Sequence, residues 1–149
     1  MGTYVMIADR PDGPFRFAEG NGLFAPGVEG VDSPFIVNDI DGEPFIDDDG
    51  NGYLFWRRRL AARLSADRLH IEGEPLTMQT ARQGYSEGPL MFKRKGIYYY
   101  VYTLSGNQNY VNAYMMSRES PLSGFVKPEG NDIFLLSAPE KKVWGTGHG

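Results

Sequence analysis

Asp41 and Glu87 are the residues best placed to do chemistry, since each is an acid followed by glycine and each leads into a short apolar stretch rich in aromatics. At the offset that sets Asp41 on Glu87, Gly42 falls on Gly88, Asp49-Gly50 on Lys95-Gly96, Tyr53 on Tyr99 and Trp56 on Tyr102. The match therefore runs through a whole strand, turn, strand unit. A lone Asp or Glu beside glycine reads as a turn or capping acid, but equivalent positions in a repeated unit put both carboxyls at one level of whatever the repeats enclose. Two neighbouring acids are what cleavage of a glycosidic bond needs. One donates a proton to the leaving oxygen, and the other activates water or steadies positive charge. With no cysteine in the chain, disulfides, thiolate metal sites and thiol nucleophiles are excluded, and His70 and His148 are the only imidazoles. Carboxylates are left as the natural carriers of chemistry.

The elements that must position them read as all-β. Aromatics are 13% of the chain, and its 19 glycines and 10 prolines separate short apolar stretches with turn residues. Residues 37–47, 53–58, 90–93 and 97–104 read as strands, joined by Asp49-Gly50-Asn51-Gly52 and Lys95-Gly96, where glycine accepts the positive φ of a tight hairpin. Residues 60–69 carry alanine and leucine, but Arg63, Ser65 and Asp67 interrupt any apolar helix face, so strand and loop are expected. A second echo pairs Tyr4-Val5-Met6-Ile7-Ala8 through Phe15 with Tyr114-Met115-Met116-Ser117 through Phe125. Several short strands recurring with a period of about 45 residues mark a propeller, whose blades stack to bury their faces around a channel lined by the inner strands. Such rings have roughly four to eight blades. The chain is expected to hold about two whole blades, over residues 32–125, with a partial blade on each side. Blade faces left uncovered in that way favour self-association.

Charge excludes other partners. A net charge of −4, clustered only at Arg57, Arg58 and Arg59, gives no footprint for nucleic acid; the arginines read as a solvated rim. No run approaches the roughly 20 apolar residues of a membrane span, so no membrane partner is expected. Asp47, Asp49 and Asn51 have the spacing that opens an EF-hand loop, but its twelfth position is Arg58 and Tyr53-Leu54-Phe55-Trp56 reads as a strand. A plain acidic hairpin is the expectation there. Trp56, Tyr85, Tyr110 and Trp144 could stack on sugar rings, with Trp56 and Tyr85 as the substrate-binding candidates.

The segment Ile40-Asp41-Gly42-Glu43-Pro44-Phe45-Ile46-Asp47-Asp48-Asp49-Gly50, followed by an aromatic strand, is similar to a motif of glycoside hydrolase family 43. Ser86-Glu87-Gly88-Pro89 before Tyr98-Tyr99-Tyr100 resembles that family's Glu-Gly-Pro motif, residues 117–125 its Ser-Pro-Leu-Gly-Pro-Phe turn, and Gly147-His148-Gly149 its Gly-His-Gly blade start. The resemblance spans nearly the whole chain and implies an incomplete five-bladed β-propeller. It implies that Glu87 is the general acid and Asp41 the second acid, which orients it or keeps it protonated. The family's third acid, the base that activates water, would lie on an inner strand before Met1. One departure is Gly42, where the family usually has proline. His148 resembles a family histidine near the channel axis that contacts a bound metal ion or its water shell. No cofactor is required by this reading, and a structural calcium or sodium ion in the channel is compatible with it. The implied activity is inverting hydrolysis of arabinofuranosyl or β-xylosyl bonds in plant cell-wall pentosans, and the alternative is a carbohydrate-binding fragment without turnover.

Overall fold

The computed structural model describes residues 2–18, 35–84, 86–104, 110–145 and 147–148. A two-stranded antiparallel ribbon comes first, made of β1 (Met6–Ile7) and β2 (Arg16–Phe17). β3 (Glu43–Ile46), β4 (Gly52–Trp56), β5 (Leu60–Leu64) and β6 (Ile71–Thr77) then form a four-stranded antiparallel sheet with its strands side by side in chain order. β7 (Ser86–Arg94), β8 (Ile97–Leu104), β9 (Val111–Ser117) and β10 (Ile133–Leu136) form a second sheet of the same design. Helix among the described residues is confined to 3-10 turns at Arg57–Arg59 and Pro139–Lys141, and no helix is long and apolar enough to cross a membrane.

The turns explain the hairpins. Lys95 and Gly96 both have positive φ, 52° and 72°, as a two-residue turn between twisted strands demands. Between β3 and β4, Asp49 accepts hydrogen bonds from the Asn51 backbone N–H at 2.9 Å and its side-chain amide at 2.7 Å. The acidic run is thus a hairpin whose carboxylates are engaged by the protein. Residues 60–69 form strand and turn, as their interrupted apolar pattern implies. Two boundaries differ from expectation. The first inner strand is only Glu43–Ile46, with Val37 in an isolated bridge to Thr3. The second sheet also runs past Phe125 to Leu136, because the residues after Ser117 make an excursion, bridged to β9 at Val126 and Met116, before β10 pairs.

The two sheets pack with their first strands adjacent, β3 and β4 lying against β7. Between them Phe55, Met78, Met91, Tyr98, Tyr100, Tyr102 and Met115 form one buried cluster. Leu54 and Trp56 point the other way, into a cluster with Val37, Ala62 and Leu64. Three successive buried residues in β4 are what a strand covered on both faces should show. The second sheet is covered differently. Its far face carries Phe92, Tyr99, Val101, Tyr114 and Phe134 around an open groove, with Phe134 62% exposed.

Candidate active site

Asp41 lies just before β3 with φ of 64°, a left-handed conformation uncommon for a non-glycine residue. The neighbouring Gly42 explains how the chain tolerates this. A Cβ at Gly42 would stand 2.5 Å from the Thr3 Cγ2, and Thr3 is fixed by donating its hydroxyl to the Asp39 carbonyl at 2.8 Å. Proline at this place would push Asp41 toward extended backbone; glycine removes that restriction and makes room for Thr3.

Glu87 sits in β7 opposite Thr103. The pairing register shifts between Glu87 and Leu90, so Gly88-Pro89 form a bulge, with Gly88 at φ 50°. Proline is tolerated inside a sheet at such places, and a bulge bends the strand and re-aims the side chain beside it. The Glu-Gly-Pro motif thereby has a mechanical meaning: Gly88 and Pro89 leave the ladder directly after Glu87 pairs with Thr103, and the strand bends beside the acid.

These two devices, with the segment at 147–148, bring three side chains together. Ligand atoms of Asp41, Glu87 and His148 lie within 4.8 Å of one another, in a group that joins both sheets. The Gly88 N–H approaches the Asp41 Oδ2 at 3.4 Å, and the His148 N–H donates to Thr103 Oγ1 at 2.9 Å. The carboxyls are closer than the roughly 6.5–9.5 Å that leaves room for a water between acid and base. That spacing suits an acid and a neighbour that orients it, not an acid and a base flanking a water. Two carboxylates and an imidazole could also hold a cation, but three donors are few for calcium, which takes about six to eight oxygens. Direct ligation by Glu87 would in addition require it ionised, which excludes proton donation by the same group.

The remaining candidates fall elsewhere. Trp56 is 3% exposed within the second core cluster, so its ring presents no face to a sugar. Burial decides against the stacking role expected of it. Tyr85 lies outside the described residues. Trp144 is 55% exposed, and Tyr110 packs against Gly147. The arginine triplet is partly tied down: Arg57 Nε lies 2.9 Å and Arg58 Nε 3.5 Å from the largely buried Asp39, and Arg59 donates to Thr80 Oγ1 at 2.7 Å.

Sequence reasoning passed over several groups around this centre. Glu43, two residues beyond Asp41, is half-buried, and burial pushes its carboxyl above the ordinary range. Thr103 and Asn112 are fully buried; the signal for them was a polar residue inside an otherwise apolar strand. At the other end of β3, Asp47 accepts hydrogen bonds from Lys93 Nζ at 2.7 Å and Tyr98 Oη at 2.6 Å, both on the second sheet. Burial acts to raise the Asp47 carboxyl, but those bonds and the Asp48 N–H outweigh it and hold it below the ordinary range. The same contacts raise Lys93. Arg82 binds Asp132 through two hydrogen bonds, 2.8 and 2.7 Å, tying the strand-linking loop before β7 to the segment before β10.

Comparison with known proteins bears on the family and the fold. The profile of the glycosyl hydrolases family 43 matches residues 1–149. The chain is 31% identical to the Beta-D-galactofuranosidase xynD of Aspergillus niger over 97% of its own length and 43% of that protein. It is 29% identical to the Arabinoxylan arabinofuranohydrolase of Bacillus subtilis over 70% of its length and 23% of that protein. A solved structure described as a glycoside hydrolase superposes with a TM-score of 0.85 at 41% identity, over 97% of this chain and 33% of the other. The chain thus spans less than half the length of the curated relatives it matches.

Proposed function

The chain belongs to the glycosyl hydrolases family 43, and from that membership we infer that it forms part of a five-bladed β-propeller that hydrolyses glycosidic bonds with inversion. Its two four-stranded sheets are two blades of the ring. Glu87 is the general acid that protonates the leaving oxygen. Asp41 is the neighbouring acid that orients it. The observation carrying this reading is the convergence of both acids within 4.8 Å at the inner ends of adjacent sheets. That spacing supports an acid with its modulator. The base then belongs to a third carboxylate, which this reading assigns to the inner strand of a preceding blade.

The substrate proposed is an arabinofuranosyl or β-xylosyl group of a plant cell-wall pentosan, a choice supported by the name of the arabinofuranohydrolase relative. A calcium or sodium ion in the channel would reach His148 directly or through its water shell. The test is hydrolysis by the longer protein that contains this chain, using aryl α-L-arabinofuranosides, β-D-xylosides and β-D-galactofuranosides, with the anomer first released followed by NMR. Inverted arabinose or xylose is expected, with loss of turnover in Asp41→Asn and Glu87→Gln. Retained configuration, or cleavage of the galactofuranoside alone, would overturn the mechanism or the substrate respectively.

A further inference from the structure

Glu87, Thr103 and Asn112 form one row across the second sheet. Glu87 on β7 pairs with Thr103 on β8, and Thr103 pairs with Asn112 on β9. Directly paired residues share a face of the sheet, so the row sets two polar side chains beside the acid. Both are inside the protein: Thr103 is 0% and Asn112 2% exposed. Buried polar groups are costly unless bonded, and these two meet at one atom, the Thr103 hydroxyl oxygen. Thr103 Oγ1 accepts the His148 backbone N–H at 2.9 Å and faces the Asn112 amide at 3.4 Å.

The segment they hold is confined on two sides. A Cβ added at Gly88 would stand 2.7 Å from the His148 Cα and 2.9 Å from its Cγ. One added at Gly147 would stand 2.8 Å from the Thr103 Cγ2 and 2.9 Å from the Tyr110 Cδ1. Missing side chains therefore let the segment approach the row closely, and the bond to Thr103 fixes its height along the strands.

We propose that Thr103 and Asn112 are positioning residues of the active site: they clamp the 147–148 segment at the level of Glu87 and so hold the His148 imidazole within reach of both acids. Asn112 acts through Thr103, by orienting its hydroxyl to receive the His148 N–H. This deepens the reading of Glu87 as the acid and rests on it for its meaning in catalysis, though the clamp itself can be observed without turnover.

The experiment is NMR on the 149-residue chain and its Thr103→Val, Thr103→Ser and Asn112→Leu variants. Two signals are read, hydrogen exchange at the His148 amide and the cross-relaxation between the His148 ring and the Gly88 α protons. The Tyr100 amide, within the β7–β8–β9 ladder, reports whether the sheet is intact. In the unaltered chain the His148 amide is expected to exchange at least roughly tenfold slower than an unstructured amide. Thr103→Val should lose that protection and the ring contact while Tyr100 stays protected, Thr103→Ser should restore both, and Asn112→Leu should weaken both. An unprotected His148 amide in the unaltered chain would overturn the clamp, as would protection surviving Thr103→Val or not returning in Thr103→Ser with Tyr100 protected. Should Thr103→Val unfold the sheet, the unaltered chain and Thr103→Ser decide the matter alone. No arm reads hydrolysis, so failure of the clamp and failure of the glycosidase reading are separate results.

Discussion

Tyr98→Phe should destabilise the chain by removing one hydroxyl and nothing else. Tyr98 is 6% exposed and its hydroxyl donates to the Asp47 Oδ2 at 2.6 Å. The phenyl ring keeps its edge contact with Phe45 and its place 4.6 Å beneath the Lys93 ammonium, so no cavity opens and the cation–π contact survives. What is lost is a buried hydrogen bond to a charged acceptor, worth about 1.5–3 kcal/mol. Its value depends on the carboxylate. Asp47 is held below its ordinary value of 3.8 in the folded chain, so its contribution is full above the unfolded value and is lost as pH falls through the lower folded one. Urea denaturation should therefore show Tyr98→Phe costing about 2 kcal/mol at pH 7, with the difference shrinking as pH falls below 3.8. A cost under about 0.5 kcal/mol at pH 7 would refute the reasoning, and so would a difference that grows on acidification.

Other outcomes follow from the same structure. Asp132→Asn should cost about 1–2 kcal/mol at neutral pH, since it weakens the doubly bonded contact of a buried carboxylate with a partner still partly in water; the hydrogen bonds from Arg82 hold Asp132 below 3.8, so this difference too should fade as pH drops beneath that value. Trp56→Ala should cost about 3–5 kcal/mol of stability in urea melts, as expected of a ring in the core, and a small change in stability would return Trp56 to the surface. The 149-residue chain should associate with a second copy through the groove beside β10, and Phe134→Asp should shift sedimentation toward the monomer; unchanged sedimentation would place any contact elsewhere.

The order of elements was legible because the punctuation was local. Lys95-Gly96 and Asp49-Gly50 specify hairpins by backbone chemistry alone, and the repeat that sets Asp41 on Glu87 held through a bulge that it could not foresee. Strands lying at the sheet edges were harder to see. β6 contains Glu72, Gly73, Glu74 and Pro75 and is exposed along nearly all of its length, so it has no apolar period, although an edge strand tolerates that composition. β10 was missed for a different reason: its apolar run follows a long excursion after Ser117, and pairing across such a gap is decided by tertiary contacts. Trp56 shows the limit of residue type as a guide, because an aromatic that could stack on a sugar is equally suited to a core. His148 was found through its glycines, and the structure gives their reason in the space that the segment needs beside Gly88 and Thr103.

The central claim, that Glu87 gives the proton to the departing oxygen, is tested most directly by leaving-group dependence in an active protein that contains this chain. Glu87→Gln should lower turnover by about 10²–10⁴-fold on substrates whose leaving groups need protonation. It should cost far less on a dinitrophenyl glycoside, which departs without help. An equal loss on both classes, or no loss on either, would contradict the assignment.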